Sequence, residues 1–138
     1  MEKILLPIDL AQPDKAEALV REAVKVASGR DVSFTLLYVA SAMPGYMTAE
    51  LPEGFAEKTT ENARAQLEAF ARAHASTLKA ETVLRTGTPQ HEIIAVAKET
   101  GADLIIIASH KPGAVDYLLG SVAAAVVRHA PCSVLVHR

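Results

Sequence analysis

The residues best suited to chemistry in this chain lie where an apolar run ends and a helical pattern begins. Leu104 to Ala108 is continuously apolar, a short loop follows it, and Gly120-Ser121 opens the next helical pattern. Small residues let a ligand approach the main chain, and the first amides of a helix have no acceptor within that helix. These amides and the helix dipole favour an anion. The pattern indicates either a phosphate cradle or an ordinary loop with a capping serine, and glycine spacing alone does not separate the two.

Asp9 is the second candidate, because it directly follows the predicted first strand Ile4–Ile8. A carboxylate at the end of such a strand can accept a hydrogen bond from a ribose hydroxyl or an adenine amino group. The alternative is an aspartate that caps a turn or the next helix. Pro13-Asp14 offers a cap closer to that helix, so we favour a ligand-binding role for Asp9.

Other chemistries find little support in the residue pattern. The five histidines are scattered, and no pair has the spacing of a helical metal site. Cys132 follows Pro131 and enters a predicted strand, which favours a small core residue over a nucleophile. Ser109 and His110 are sequence neighbours, which does not indicate a nucleophile and its base. Without a recognisable general base, we expect binding rather than rapid turnover.

The elements that position these residues follow from apolar periodicity, which predicts strands alternating with helices. Strict alternation favours right-handed crossovers and one parallel sheet covered by helices, an α/β fold. Ligands bind such sheets at the carboxyl ends of the strands, where the strand order reverses. Residues 40–58 read as a long functional loop, a lid or a mobile segment. The predicted strands are 4–8, 32–39, 80–84, 104–108 and 133–137, and the predicted helices are 14–28, 59–77, 91–100 and 121–129.

Composition limits the class of protein. The 138 residues fit a single domain, and half of them are hydrophobic while only 4% are aromatic, as suits a buried parallel sheet. A net charge of -2 and a pI near 6.2 argue against general nucleic-acid or anionic-membrane binding. One cysteine, no signal-like run and no apolar stretch of spanning length favour a cytoplasmic protein without a membrane partner.

Four motifs stand out along the chain: Pro7-Ile8-Asp9, Gly87-Thr88-Pro89, Leu118-Leu119-Gly120-Ser121-Val122 and the tail Arg128–Val136. Together they resemble the universal stress protein family, and the resemblance covers nearly the whole chain. It implies a flavodoxin-like or Rossmann-like five-stranded sheet of order 3-2-1-4-5, with helices on both faces, that binds an adenine nucleotide. It also implies a homodimer joined through the fifth strand, Ser133–His137.

The chain departs from the family's nucleotide-binding motif, which runs Gly-x2-Gly-x9-Gly-Ser/Thr. Ala108 and Lys111 stand where the first two glycines are expected, and the loop from Lys111 to Gly120 is one residue short. Gly113 offers some of the missing flexibility. Ser109-His110-Lys111-Pro112 and Tyr117-Leu118-Leu119-Gly120-Ser121 resemble a short-loop branch of the family that is thought to retain ATP binding. Ala11 stands where a serine is frequent.

The resemblance implies a role for each matching position. Pro7, Ile8, Asp9 and Val39 would line the adenosine; Ala108, His110 and Lys111 would lie near the ribose and phosphates; Gly120, Ser121 and Val122 would hold the phosphates. Ser109 and Gly113 complete the implied nucleotide-binding set. The implied ligand is ATP, or ADP or AMP, together with a divalent ion such as Mg²⁺, acting as a ligand or switch in a stress response. Two alternatives stay open: a weak ATPase or autophosphorylating protein with Ser109 or Ser121 as acceptor, and a dimeric interaction module that has lost nucleotide binding.

Overall fold

The computed structural model describes residues 1–41, 50–109 and 119–138. Strands and helices alternate along this part of the chain, as the periodicity predicts. The elements are β1 (Glu2–Pro7), α1 (Pro13–Ala27), β2 (Val32–Ala40), α2 (Phe55–His74), β3 (Ala80–Thr86), α3 (Pro89–Thr100), β4 (Leu104–Ala108), α4 (Ser121–His129) and β5 (Ser133–His137).

The five strands form one parallel sheet in the order β3-β2-β1-β4-β5. This order confirms the predicted α/β fold. The chain builds outward from β1 to β3 and then returns to add β4 and β5 on the other side of β1. The strand order therefore reverses between β1 and β4, which is where open parallel sheets bind their ligands.

The sheet is buried on both faces, because successive side chains of a strand point in opposite directions. Ile4 and Leu6 pack on one face with α1 and α2, in a cluster that includes Leu19 and Phe70. Leu5 packs on the opposite face with residues of α3 and α4. Consequently α1 and α4, which flank the reversal point, approach it from opposite faces of the sheet.

Helix boundaries differ most at α2, which begins at Phe55 and ends at His74, whereas the periodicity predicts 59–77. Gly54 has a φ of 82° at the position before the helix. This left-handed conformation is easy for glycine and turns the chain directly into the helix. The predicted loop 40–58 therefore loses its last four residues, and residues 42–49 lie outside the described part of the chain.

Helix α3 begins at Pro89, close to the predicted start at residue 91. Thr88 occupies the N-cap position and Pro89 the first turn, although the threonine side chain makes no capping hydrogen bond. Gly101 ends this helix with a φ of 68°, a left-handed conformation that glycine commonly adopts at a helix C-terminus. Among the described helices, none combines the length and the apolar character needed to cross a membrane.

Candidate functional site

The candidate site is a crevice that opens because β1 and β4 diverge toward their carboxyl ends. The two strands pair only at Ile4–Leu104 and Leu5–Ile105 among the described residues. Beyond these pairs, Ile8 donates its N–H to Leu37 on the β2 side. Ser109 donates its N–H to the carbonyl of His137 on the β5 side, at 2.8 Å. At the point where the strand order reverses, these two strand ends are thus bonded to their outer neighbours.

A cavity of about 530 Å³ occupies this crevice, a volume within the range of small-molecule sites. It is lined by the ends of β1, β2 and β4 and by the first turns of α1, α3 and α4. Its lining residues are Pro7, Ile8, Asp9, Ala11, Gln12, Lys15, Ala16, Leu19, Leu37, Tyr38, Val39, Ser41, Pro89, Ile93, Ile107, Ala108, Ser121, Val122 and Ala123.

The cavity has an apolar floor and a polar rim. The floor is made by buried side chains, among them Ile8, Leu37 and Ile107. Asp9 and Ser121 are exposed at the rim. A ligand that matches this distribution has a flat apolar body for the floor and polar or charged groups for the rim.

The first turn of α4 provides the groups best suited to an anion. Ser121, Val122 and Ala123 are the first three residues of this helix, and all three line the cavity. Amides at these positions have no acceptor four residues earlier within the helix. Gly120 precedes them as the buried N-cap residue, and its carbonyl accepts the N–H of Ala124 at 2.9 Å. The alternative of a capping serine is wrong, because Gly120 is the N-cap and Ser121 is the first residue inside the helix.

Asp9 forms a turn at the opposite side of the crevice. Its Oδ1 accepts the N–H of Ala11 at 2.9 Å, and its carbonyl accepts the N–H of Gln12 at 3.1 Å. The expectation that Pro13-Asp14 would cap α1 is wrong, since Gln12 is the N-cap and Pro13 begins the helix. Asp9 therefore has the turn role, and it also lines the cavity at its rim.

The cavity brings together seven of the residues singled out from the sequence. Gly120 and Ser109 adjoin lining residues but do not line the cavity themselves. His110, Lys111 and Gly113 lie outside the described residues. The seven are Pro7, Ile8, Asp9, Val39, Ala108, Ser121 and Val122.

Sequence reasoning missed the contribution of α1. Gln12, Lys15, Ala16 and Leu19 all line the cavity from this helix. Their spacing of three and four residues places them on one helical face, and that spacing was the available signal. Helical periodicity alone assigns the apolar residues Ala16 and Leu19 to the core. In the structure the start of this helical face also borders the crevice.

A metal site built from protein side chains is not found in the part of the chain that the structure describes. No group of three or more histidine, cysteine, aspartate or glutamate side chains is close enough to hold an ion there.

Cys132 is half-buried and packs against the apolar cluster under α3 and α4. Burial raises the pKa of its thiol, and the negative charge of Asp103 adds to the increase. At pH 8 the folded protein therefore holds less thiolate than an ordinary exposed cysteine. We expect iodoacetamide to alkylate Cys132 more slowly in the folded protein than in the same chain unfolded in urea. Equal or faster alkylation of the folded protein, followed by mass spectrometry, would show a reactive thiol instead.

This chain is similar in sequence and fold to known proteins. The model of the universal stress protein family matches residues 1–138. Universal stress protein G of Escherichia coli O157:H7 is 29% identical over 142 residues, covering 98% of this chain and 97% of the relative. The solved structure of the hypothetical protein MJ0577 is 28% identical, with a TM-score of 0.79 and coverage of 98% and 94%. Universal stress protein UspA of Lactobacillus plantarum is 28% identical, with a TM-score of 0.69 and coverage of 99% and 97%.

Two more remote structures share the fold and carry ligands. A universal stress protein in complex with cAMP is 18% identical, with a TM-score of 0.68 and coverage of 99% and 96%. The universal stress protein of Archaeoglobus fulgidus in complex with dAMP is 22% identical, with a TM-score of 0.63 and coverage of 100% and 98%.

Proposed function

Because the chain belongs to the universal stress protein family, we propose that it binds an adenine nucleotide in the cavity between β1 and β4. The observation that carries this proposal is the placement of Ser121, Val122 and Ala123, the first turn of α4, along that cavity. Backbone amides that lack a helical acceptor are suited to phosphate oxygens. The phosphates would therefore lie at the rim beside α4.

The adenine class is supported by the apolar floor and by the remote relatives. A purine ring can pack against Ile8 and Val39, while the carboxylate of Asp9 is placed to accept a hydrogen bond from a ribose hydroxyl or the adenine amino group. Remote structures of the same fold hold cAMP and dAMP. ATP with Mg²⁺ is our first choice of ligand, and ADP and AMP share the same chemistry.

We assign the nucleotide the role of a ligand or switch in a cytoplasmic stress response. The described cavity lining contains exposed hydroxyls, such as that of Ser121, but no histidine. Among these lining residues no imidazole is therefore available to activate a water molecule. We propose that the nucleotide is bound without rapid hydrolysis.

Calorimetric titration of the purified protein with ATP and MgCl₂ tests the proposal. We expect saturable binding of one nucleotide per chain in the micromolar range, and weaker binding of GTP. A parallel incubation with γ-labelled ATP should leave the label on the nucleotide. Absence of binding by ATP, ADP and AMP up to millimolar concentration would contradict the proposal and favour an interaction module that has lost its ligand. Rapid release of labelled phosphate would favour the ATPase alternative.

A second part of the proposal is a homodimer joined through β5. This strand lies at the end of the sheet order, and an edge strand with unpaired backbone groups is a ready site for a second copy. The carbonyl of His137 points toward β4, where it accepts the N–H of Ser109. Since backbone groups alternate sides along a strand, those of Val134 and Val136 point toward the open edge. Antiparallel pairing of two copies of Ser133–His137 would satisfy them.

Substituting Val134 with proline tests this dimer. The change removes an N–H at the open edge and leaves the donors that face β4 in place, so the fold should survive while the dimer is lost. We expect light scattering after size exclusion to report a dimer for the wild type and a monomer for Val134→Pro, with unchanged far-ultraviolet circular dichroism. Leu135→Pro is the matched control, because it removes a donor to β4 and should lower the melting temperature. A dimeric, folded Val134→Pro protein would contradict pairing through this edge.

A further inference from the structure

We propose that Lys15 makes the cavity selective for phosphorylated nucleosides over unphosphorylated ones; this inference rests on the proposed nucleotide-binding function. Lys15 lies in the first turns of α1 and lines the cavity. The described lining contains two charged side chains, those of Lys15 and Asp9, and Lys15 is the positively charged one.

The position of Lys15 across the crevice from α4 gives it this role. Helix α1 packs on the face of the sheet that contains Leu19 and Ala23, whereas α4 packs on the opposite face through Ala123 and Val126. A phosphate group held at the first turn of α4 would therefore have Lys15 on its other side. The anion would be flanked by backbone dipoles from one face and by an ammonium group from the other.

The rim location decides which part of the ligand Lys15 can reach. Lys15 is exposed, while Ile8, Leu37 and Ile107 form the buried floor. A nucleoside that fills the floor leaves its 5′ substituent toward the rim. The lysine charge should then act on the phosphates and have little effect on the base or the ribose.

Charge balance supports the same assignment. In the described lining, the carboxylate of Asp9 and the ammonium of Lys15 cancel formally, so removal of Lys15 leaves a net negative lining. An anionic ligand would then meet the repulsion from Asp9 without the offsetting attraction of Lys15, whereas a neutral nucleoside would not. The effect should be moderate because the lysine is exposed and solvent screens its charge.

The experiment compares adenosine, AMP and ATP by calorimetry on wild type, Lys15→Ala, Lys15→Arg and the control Lys25→Ala. Lys25 is an exposed residue in the last turn of the same helix, where it faces Glu22 at 3.9 Å. For Lys15→Ala we expect ATP affinity to fall about three- to tenfold, adenosine affinity to stay within about twofold, and the salt dependence of ATP binding to decrease. Lys15→Arg should retain the wild-type preference, and Lys25→Ala should match the wild type.

The outcomes separate this inference from the proposed function. A wild type that binds ATP, together with a Lys15→Ala variant of unchanged ATP-to-adenosine preference, overturns the role of Lys15 and leaves nucleotide binding intact. Equal weakening of ATP and adenosine in Lys15→Ala also overturns it, because a loss of cavity shape would explain both. A wild type that binds none of the three compounds overturns the proposed function itself.

Discussion

Replacing Ser121 with glutamate is expected to weaken ATP binding by about thirtyfold or more, which corresponds to about 2 kcal/mol. Ser121 is the first residue of α4 and lies exposed at the cavity rim. A carboxylate there would occupy the position proposed for the phosphates and repel them, since like charges at contact distance interact by several kcal/mol near a protein surface. Because a negative charge is favourable at a helix N-terminus, the same change should leave the melting temperature equal or slightly higher.

Opposite effects on binding and stability make Ser121→Glu informative. Ser121→Ala removes only the hydroxyl and should weaken ATP binding by no more than about threefold if the backbone amides make the main contacts. Ala56→Glu is the matched control, because it adds an acidic residue to the first turn of α2, which does not line the cavity. Calorimetry and thermal melting measure both quantities. Retention of wild-type ATP affinity by Ser121→Glu would place the phosphates elsewhere.

Replacing Asp9 with alanine should weaken the binding of both adenosine and ATP, with a loss of about tenfold to a hundredfold for adenosine. This range corresponds to loss of a hydrogen bond to a charged group, about 1.5–3 kcal/mol, together with the turn in which Oδ1 accepts the N–H of Ala11 at 2.9 Å. Adenosine is the more telling ligand, because removal of a negative charge also lowers repulsion of the ATP phosphates. The loss for ATP should accordingly be the smaller of the two.

Asp9→Asn separates the turn from the ligand contact. The asparagine carbonyl can still accept the N–H of Ala11, so the turn should persist while the charged acceptor is lost. We expect adenosine affinity between those of the wild type and Asp9→Ala. Asp14→Ala is the control, since Asp14 lies in the first turn of α1 outside the cavity lining. Unchanged adenosine binding in Asp9→Ala would reduce Asp9 to a turn residue.

The strands and their parallel arrangement were predictable because the signals for them are local. Ile4 to Ile8 and Leu104 to Ala108 read as buried strands from apolar continuity alone, and strict alternation favoured a parallel sheet. The order 3-2-1-4-5 came from the family resemblance and is confirmed by the structure. The carboxyl ends of β1 and β4 then had to carry the site, and Asp9 and Ala108 do line the cavity.

The errors arose where several conformations fit the same residues. Pro52 and Gly54 marked the segment before residue 59 as a loop, yet Gly54 adopts a left-handed conformation that starts α2 at Phe55. The turn at Asp9 depends on the backbone path of Ala11 and Gln12, which periodicity does not specify. Lys15 escaped notice because its place in the cavity depends on how α1 packs against the sheet rather than on a local pattern.

The most direct test is a ¹⁵N–¹H NMR titration that follows the backbone amides of Ser121 and Val122 as ATP and MgCl₂ are added. If these amides hold the phosphates, their resonances should shift saturably, with the same dissociation constant as calorimetry. ATP should shift them more than adenosine does, and the amide of Ala56 in the first turn of α2 should stay in place. Saturable ATP binding that leaves the Ser121 and Val122 amides unmoved would contradict the account.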